Sequence, residues 1–135
     1  MGPDRGAGSR FAVEALAGQY DICRLPPDAE LPAWATTTES PLLSVMRTDA
    51  ELSIVCDGSL APSGTERSRG WRAIRVAGTL EHTLTGVLVS LAAPLADAGI
   101  PIFALSSFDT DYLLVPADSL GRALAALAEA GHAVH

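Results

Sequence analysis

The chain has 135 residues, nine basic side chains and 16 acidic ones, for a formal charge of −7. At 48% hydrophobic and 19% charged it is too apolar to be disordered over most of its length, and it is long enough for one compact domain or two very small ones. The negative charge excludes a nucleic-acid backbone or an anionic membrane surface as a natural partner, and the absence of lysine removes Schiff-base and P-loop chemistry.

Residues 1–10 are rich in glycine and offer almost nothing to a core, so a disordered tail is expected there. Alternating apolar residues then predict a strand over Phe11–Leu16, a turn at Gly18 and a strand over Tyr20–Leu25. Pro26-Pro27 ends the second strand, and Asp28–Ala35 holds at most a short helix because Pro32 is tolerated only near a helix start. Leu42–Arg47 and Leu52–Cys56 read as strands flanking the polar turn Thr48–Glu51.

Asp57–Arg69 lacks periodicity and is rich in Gly, Pro and Ser, which predicts the internal linker, placed at 63–69. A strand over Trp71–Val76 follows, then Gly78 and a helix whose apolar residues Leu84, Val87, Leu88, Leu91 and Leu95 recur at steps of three and four. Pro94 is expected to kink that helix and Gly99 to stop it. Strands over Ile102–Ser106 and Tyr112–Val115 come next. A second helix carries Asp118 in its first turn, Leu120, Leu124 and Leu127 on its buried face and Gly131 as its stop, and Ala133-Val134 opens a short last strand.

The second half is therefore strand, helix, strand, strand, helix, strand, a ferredoxin-like α+β order with helices on one face of an antiparallel sheet. An offset of 60 residues sets Pro41–Val45 beside Pro101–Leu105, Asp49 beside Asp109, Glu51 beside Asp111 and Val55 beside Val115. This echo predicts two related half-domains, a reduced one over 11–62 and a fuller one over 70–135. Trp34 and Trp71 are expected as apolar anchors between the halves.

Cys23 and Cys56 lie in apolar strand runs without CxxC spacing and read as core thiols. With no signal-peptide pattern at the start and no apolar run long enough for a bilayer, a cytoplasmic location is expected. His82, His132 and His135 show no metal-ligand spacing, and the chain has no nucleophile elbow, phosphate loop or dinucleotide fingerprint. Neither a metal, nor a cofactor, nor catalysis is expected.

Two segments are suited to a ligand. Thr85, Gly86 and Val87 stand at a helix start, where free backbone amides and a partial positive charge suit a carboxylate. Ser107, Asp109, Thr110 and Asp111 stand at a strand end, where two carboxylates suit an ammonium or guanidinium group. Together they describe an amino-acid site, although a polar hairpin tip and a plain helix start would look the same. Arg67, Arg69, Arg72 and Arg75 read as partners of nearby acids.

Gly70–Val115, with its LTGVL and FDTDYLLV stretches, resembles the ACT domains of the CASTOR amino-acid sensors and their small bacterial relatives. CRLP at Cys23–Pro26 and LSIVC at Leu52–Cys56 resemble the companion half-domain of those bacterial proteins. The resemblance implies tandem ACT-like units, regulatory binding of a free amino acid, a homodimer and a protein partner that responds to the ligand. It carries the ligand role onto Thr85, Gly86 and Val87 and onto Asp109, Thr110 and Asp111, with Ser107 beside them. Thr83 stands where these domains commonly carry an aspartate, which leaves the ligand's identity open. A ligand-free module for dimerisation and protein interaction is the alternative.

Overall fold

The computed structural model describes residues 10–81 and 85–135; most of the expected tail, together with His82, Thr83 and Leu84, lies outside the described residues. The chain divides into two units, one joining the segment that ends at Leu16 to Arg72–His135, the other formed by Ala17–Trp71.

In the first unit the strands are β1 (Ala12–Ala15), the end of β5 (Glu66–Val76), β6 (Phe103–Ser106), β7 (Asp111–Pro116) and β8 (Ala133–Val134). Their order is β8-β1-β5-β7-β6. Helices α1 (Val87–Asp97) and α2 (Leu120–Glu129) share one core with this sheet: Val13, Ile74, Val76, Leu113 and Val115 from the strands meet Val87, Leu91, Leu95, Ala123 and Leu127 from the helices. The α+β, ferredoxin-like arrangement follows from these periods, since one helix stripe and one strand face carry the apolar side chains.

Both helices end as their glycines dictate. Gly99 has φ +73° and Gly131 φ +97°, a left-handed conformation that costs a residue with a Cβ about 1–2 kcal/mol. Each glycine closes a paired C-terminal hydrogen-bond motif. The Ile100 amide donates to Leu95 O and that of Gly99 to Ala96 O, while His132 donates to Leu127 O and Gly131 to Ala128 O.

The second unit holds β2 (Tyr20–Leu25), β3 (Ser44–Arg47), β4 (Leu52–Asp57) and the first part of β5, in the order β3-β4-β2-β5. Its core gathers Cys23, Leu52, Ile54, Cys56, Ala35 and Ala61, and its only helical turn among the described residues, apart from β-turns, is the 3-10 turn Ala33–Ala35.

Four expectations change. β1 and β2 do not form a hairpin: β1 pairs with Ile74–Val76 and β2 with the earlier residues of β5, so the strand at Ala12–Ala15 joins the C-terminal unit. The Arg75–Glu14 ion pair at 2.7 Å and the burial of Val13 fix it there. β5 begins at Glu66, inside the segment read as linker, because Arg67 is drawn into a buried pair with Asp21 at 3.2 Å. Trp34 and Trp71 both belong to the Ala17–Trp71 unit; Trp34 packs on the Cys23 cluster, and Trp71 Nε1 donates to Ser68 Oγ. The last strand runs parallel to β1, with Ala12 opposite Ala133, rather than completing a wholly antiparallel sheet.

The echo is also shifted by one residue. Arg47 pairs with Leu52 and Ser106 with Asp111, so both hairpins close over four residues and correspond at an offset of 59, not 60. At 59 the core residues Ile54 and Cys56 fall on Leu113 and Val115, whereas a slip of one would turn every side chain to the wrong face.

Candidate functional site

The site begins at the start of α1. Gly86 takes the cap position at φ +76°, ψ 6°, which a residue with a Cβ adopts only under strain. Its carbonyl accepts the Ser90 amide at 2.9 Å, leaving the amides of Val87, Leu88 and Val89 without an intrahelical acceptor. Gly86, having no side chain, gives them no cap of its own.

The turn between β6 and β7 lies opposite. Ser107 clasps it: its amide donates to Thr110 O at 2.8 Å, while its hydroxyl accepts the Thr110 amide and donates to Thr110 O, both at 3.2 Å. The Thr110 side chain donates to Val76 O at 2.8 Å and ties the turn to β5. The Leu80 amide donates to Asp109 O at 2.7 Å, docking the turn against the segment that leads toward α1. Asp111 opens β7, and its Oδ1 accepts from Ser106 Oγ at 2.7 Å.

These two parts enclose an open groove of about 380 Å³ lined by Gly86, Val87 and Leu88 on one side and Ser106 to Asp111 on the other, with Leu80 and Glu81 at its end. Of the residues expected from sequence, Gly86, Val87, Ser107, Asp109, Thr110 and Asp111 line it. Thr85 is exposed and does not. Thr110 lines the wall with its hydroxyl already engaged and only 6% of its surface exposed, so it shapes the turn instead of reaching for a ligand.

Leu80, Glu81 and Leu88 line the groove without a signal in the sequence, and Ser106 and Phe108 of the strand-end cluster join them. Leu88 carries the helical period of a core residue, and the pattern does not reveal that it stands 45% exposed. Phe108 is 81% exposed at the tip of the turn, which only the four-residue closure decides.

Electrostatically the groove has two ends. The first-turn amides of α1 offer partial positive charge, while Glu81, Asp109 and Asp111 supply three carboxylates, and no basic side chain is among the described lining residues. A small molecule with a carboxylate and a cationic group matches this polarity. Among the described residues no group of three or more His, Cys, Asp and Glu side chains converges as a metal site, and no helix is long and apolar enough to cross a membrane.

The ACT domain family model matches residues 66–129, and a second model, described as the N-terminal domain of another family, matches residues 18–63. The crystal structure of Protein Atu0741 from Agobacterium tumefaciens is similar at 37% identity and a TM-score of 0.87, covering 94% of this chain and 93% of that one. The human protein named "Cytosolic arginine sensor for mTORC1 subunit 1" is 36% identical over 58 residues, 42% of this chain, and the match spans 18% of that relative's length. The aspartate kinase of Clostridium acetobutylicum shares the fold at a TM-score of 0.63 and 11% identity, with 94% of this chain and 36% of that one covered. The chain thus carries an ACT domain over residues 66–129, within which its groove lies, and belongs to the same family as the Agobacterium protein.

Proposed function

We propose that this protein is a regulatory protein without catalytic activity of its own, which binds a free amino acid in the groove between the start of α1 and the β6–β7 turn. The observation that carries the reading is the joining of the first turn of α1, behind Gly86, and the Asp109 and Asp111 carboxylates around one groove inside the ACT domain. The ligand's carboxylate takes the amides of Val87 and Leu88, and its cationic group takes the acidic turn. The human relative's printed name, an arginine sensor, supports an amino acid with a cationic side chain and a CASTOR-like placement within the ACT family. Under the same proposal the Ala17–Trp71 unit is a reduced ACT-like half, the protein is a cytoplasmic bacterial homodimer, and a partner protein responds to the ligand.

A thermal-unfolding screen of the purified chain against the twenty amino acids tests this. A ligand at 100 times its Kd adds about 2.7 kcal/mol and raises the midpoint by several degrees. No shift with any amino acid would favour the second reading, a ligand-free module for dimerisation and protein interaction, for which the exposed Leu88 and Val89 on α1 speak.

A further inference from the structure

Arg67 and Arg75 each meet an acid, whereas Arg69 meets none among the described residues. Its place in β5 explains this. Tyr20 faces Trp71 and Ile22 faces Ser68, so the single residue Asp21 stands against two, Arg69 and Gly70. The result is a β-bulge with Gly70 at φ +78°, a device that takes a side chain out of the strand's regular alternation. Asp21, itself buried, fixes the bulge: its Oδ1 accepts the Gly70 amide at 3.2 Å, and its Oδ2 pairs with Arg67 at 3.2 Å. The charge of Asp21 is thereby matched without Arg69.

The exposed Arg69 instead lines a concavity of about 470 Å³ with Gln19, Asp57, Gly58, Ser59 and Gly70, all within the Ala17–Trp71 unit. We infer that this concavity is a second ligand site, for a small zwitterion with an aliphatic side chain, whose carboxylate takes Arg69 and whose ammonium takes Asp57. The inference is independent of the groove at α1.

Asp57 is prepared for a cation. Its Oδ1 accepts the Ser59 amide at 2.9 Å and the Ser59 hydroxyl at 2.6 Å, and these bonds hold its carboxyl below the usual carboxylate range, so it is charged. Its Oδ2 takes no hydrogen bond from the described residues and lies 3.5 Å from where a Cβ on Gly18 would stand, so the glycine leaves that oxygen open to approach. Asp57 also lines an adjoining concavity of about 320 Å³, whose walls include Ala17, Pro41 and Leu60. An ammonium on Asp57 thus has a guanidinium in one concavity and an apolar wall in the other, the three partners that the substituents of an aliphatic α-amino acid require. The exposed Glu39 in the same apolar concavity disfavours an acidic side chain.

The test is an NMR titration of the full-length chain with L-leucine, beside 4-methylpentanoate, which lacks the ammonium, and L-leucinamide, which lacks the carboxylate. Leucine is expected to shift the amides of Gly18, Gly58, Ser59 and Gly70 saturably, and each analogue to bind at least about tenfold more weakly. Arg69→Gln and Asp57→Asn should each weaken leucine to a similar degree with the thermal midpoint of the free protein retained; Arg69 is exposed, and an asparagine oxygen still accepts from Ser59. Asp109→Ala should leave these shifts unchanged. Absence of saturable shifts at these amides, equal binding of the three compounds, or wild-type leucine affinity in Arg69→Gln would each overturn the inference. Shifts confined to Val87, Leu88 and Asp109 would overturn it too while supporting the groove at α1, so the two sites fail separately.

Discussion

His132 supplies to α1 the hydrogen that Pro94 cannot. Proline has no N–H, so the Ser90 carbonyl four residues earlier is left without its helical donor; the His132 ring approaches that oxygen with Nε2 at 2.9 Å. Its Nδ1 accepts the Phe11 amide at 3.0 Å, which requires the hydrogen to be on Nε2. The ring is 4% exposed and stacks on Phe11 at 6.0 Å, so one side chain joins α1, the segment before β1 and the end of α2.

His132→Ala is therefore expected to remove the hydrogen bonds to the buried Ser90 carbonyl and the Phe11 amide, at about 1–3 kcal/mol for each bond lost without replacement. Chemical denaturation measures the loss. The double variant with Pro94→Ala should recover part of it, because the helix then satisfies Ser90 itself; additive losses would show that His132 acts on α1 by packing alone.

Asp109→Ala and Asp111→Ala are each expected to weaken amino-acid binding sharply while the chain stays folded. Each removes a carboxylate that lines the groove, and neither side chain is in the core. Loss of one charge-assisted bond corresponds to about a tenfold or larger drop in affinity. Calorimetric titration with the amino acid from the thermal screen reads this directly, and wild-type affinity in both variants would end the assignment of the acidic turn.

Gly86→Val should lower both stability and affinity. At φ +76° a side chain is strained by about 1–2 kcal/mol; because the strain sits at the cap, it shifts the first-turn amides as well. A variant with wild-type affinity and reduced stability would separate the cap from the ligand.

Asp21 and Arg67 form a buried pair in the Ala17–Trp71 unit, with 6% and 4% of their side chains exposed. Asp21 Oδ1 also accepts the Gly70 amide at 3.2 Å, and Arg67 donates to the carbonyls of Ala61 and Pro62. Asp21→Ala strands the guanidinium and should cost about 3–5 kcal/mol, whereas removing both partners in Asp21→Ala with Arg67→Met should cost less. Unfolding curves of the single and double variants test the order.

Cys23 and Cys56 are fully buried, and burial pushes both thiols up, Cys56 to about 12, with the neighbouring Cys23 adding to its shift. A thiol that ionises later in the folded than in the unfolded chain favours folding below the unfolded value near 9, and that advantage disappears as pH rises from 9 toward 12. Alkylation at pH 8 should thus be negligible in the native protein and complete in denaturant, and stability should fall on the alkaline side. Fast native alkylation would place the thiols in an open unit.

The ferredoxin-like order, both helix stops and the pairing of Gly86 with an acidic turn were legible in the sequence, because each rests on short-range physics. A 3.6-residue period marks the buried stripes of α1 and α2, glycine alone is at ease at φ +73° and +97°, and a hydroxyl beside acids marks a turn. The 63–69 segment misled because composition describes a chain before its charges find partners; Arg67 becomes strand only through Asp21, 46 residues away. The echo misled by one residue because matching prolines and aspartates report side-chain type, while hairpin register is set by the clasp of Thr48 with Glu51 and of Ser107 with Thr110. What the sequence by itself determined, then, is which segments outside 66–69 are helix, strand and turn. Which strand Ala12–Ala15 joins, how Pro94 is tolerated, and that Leu88 and Phe108 face a groove were decided only by tertiary structure, since each depends on contacts between residues far apart in the chain that no local pattern encodes.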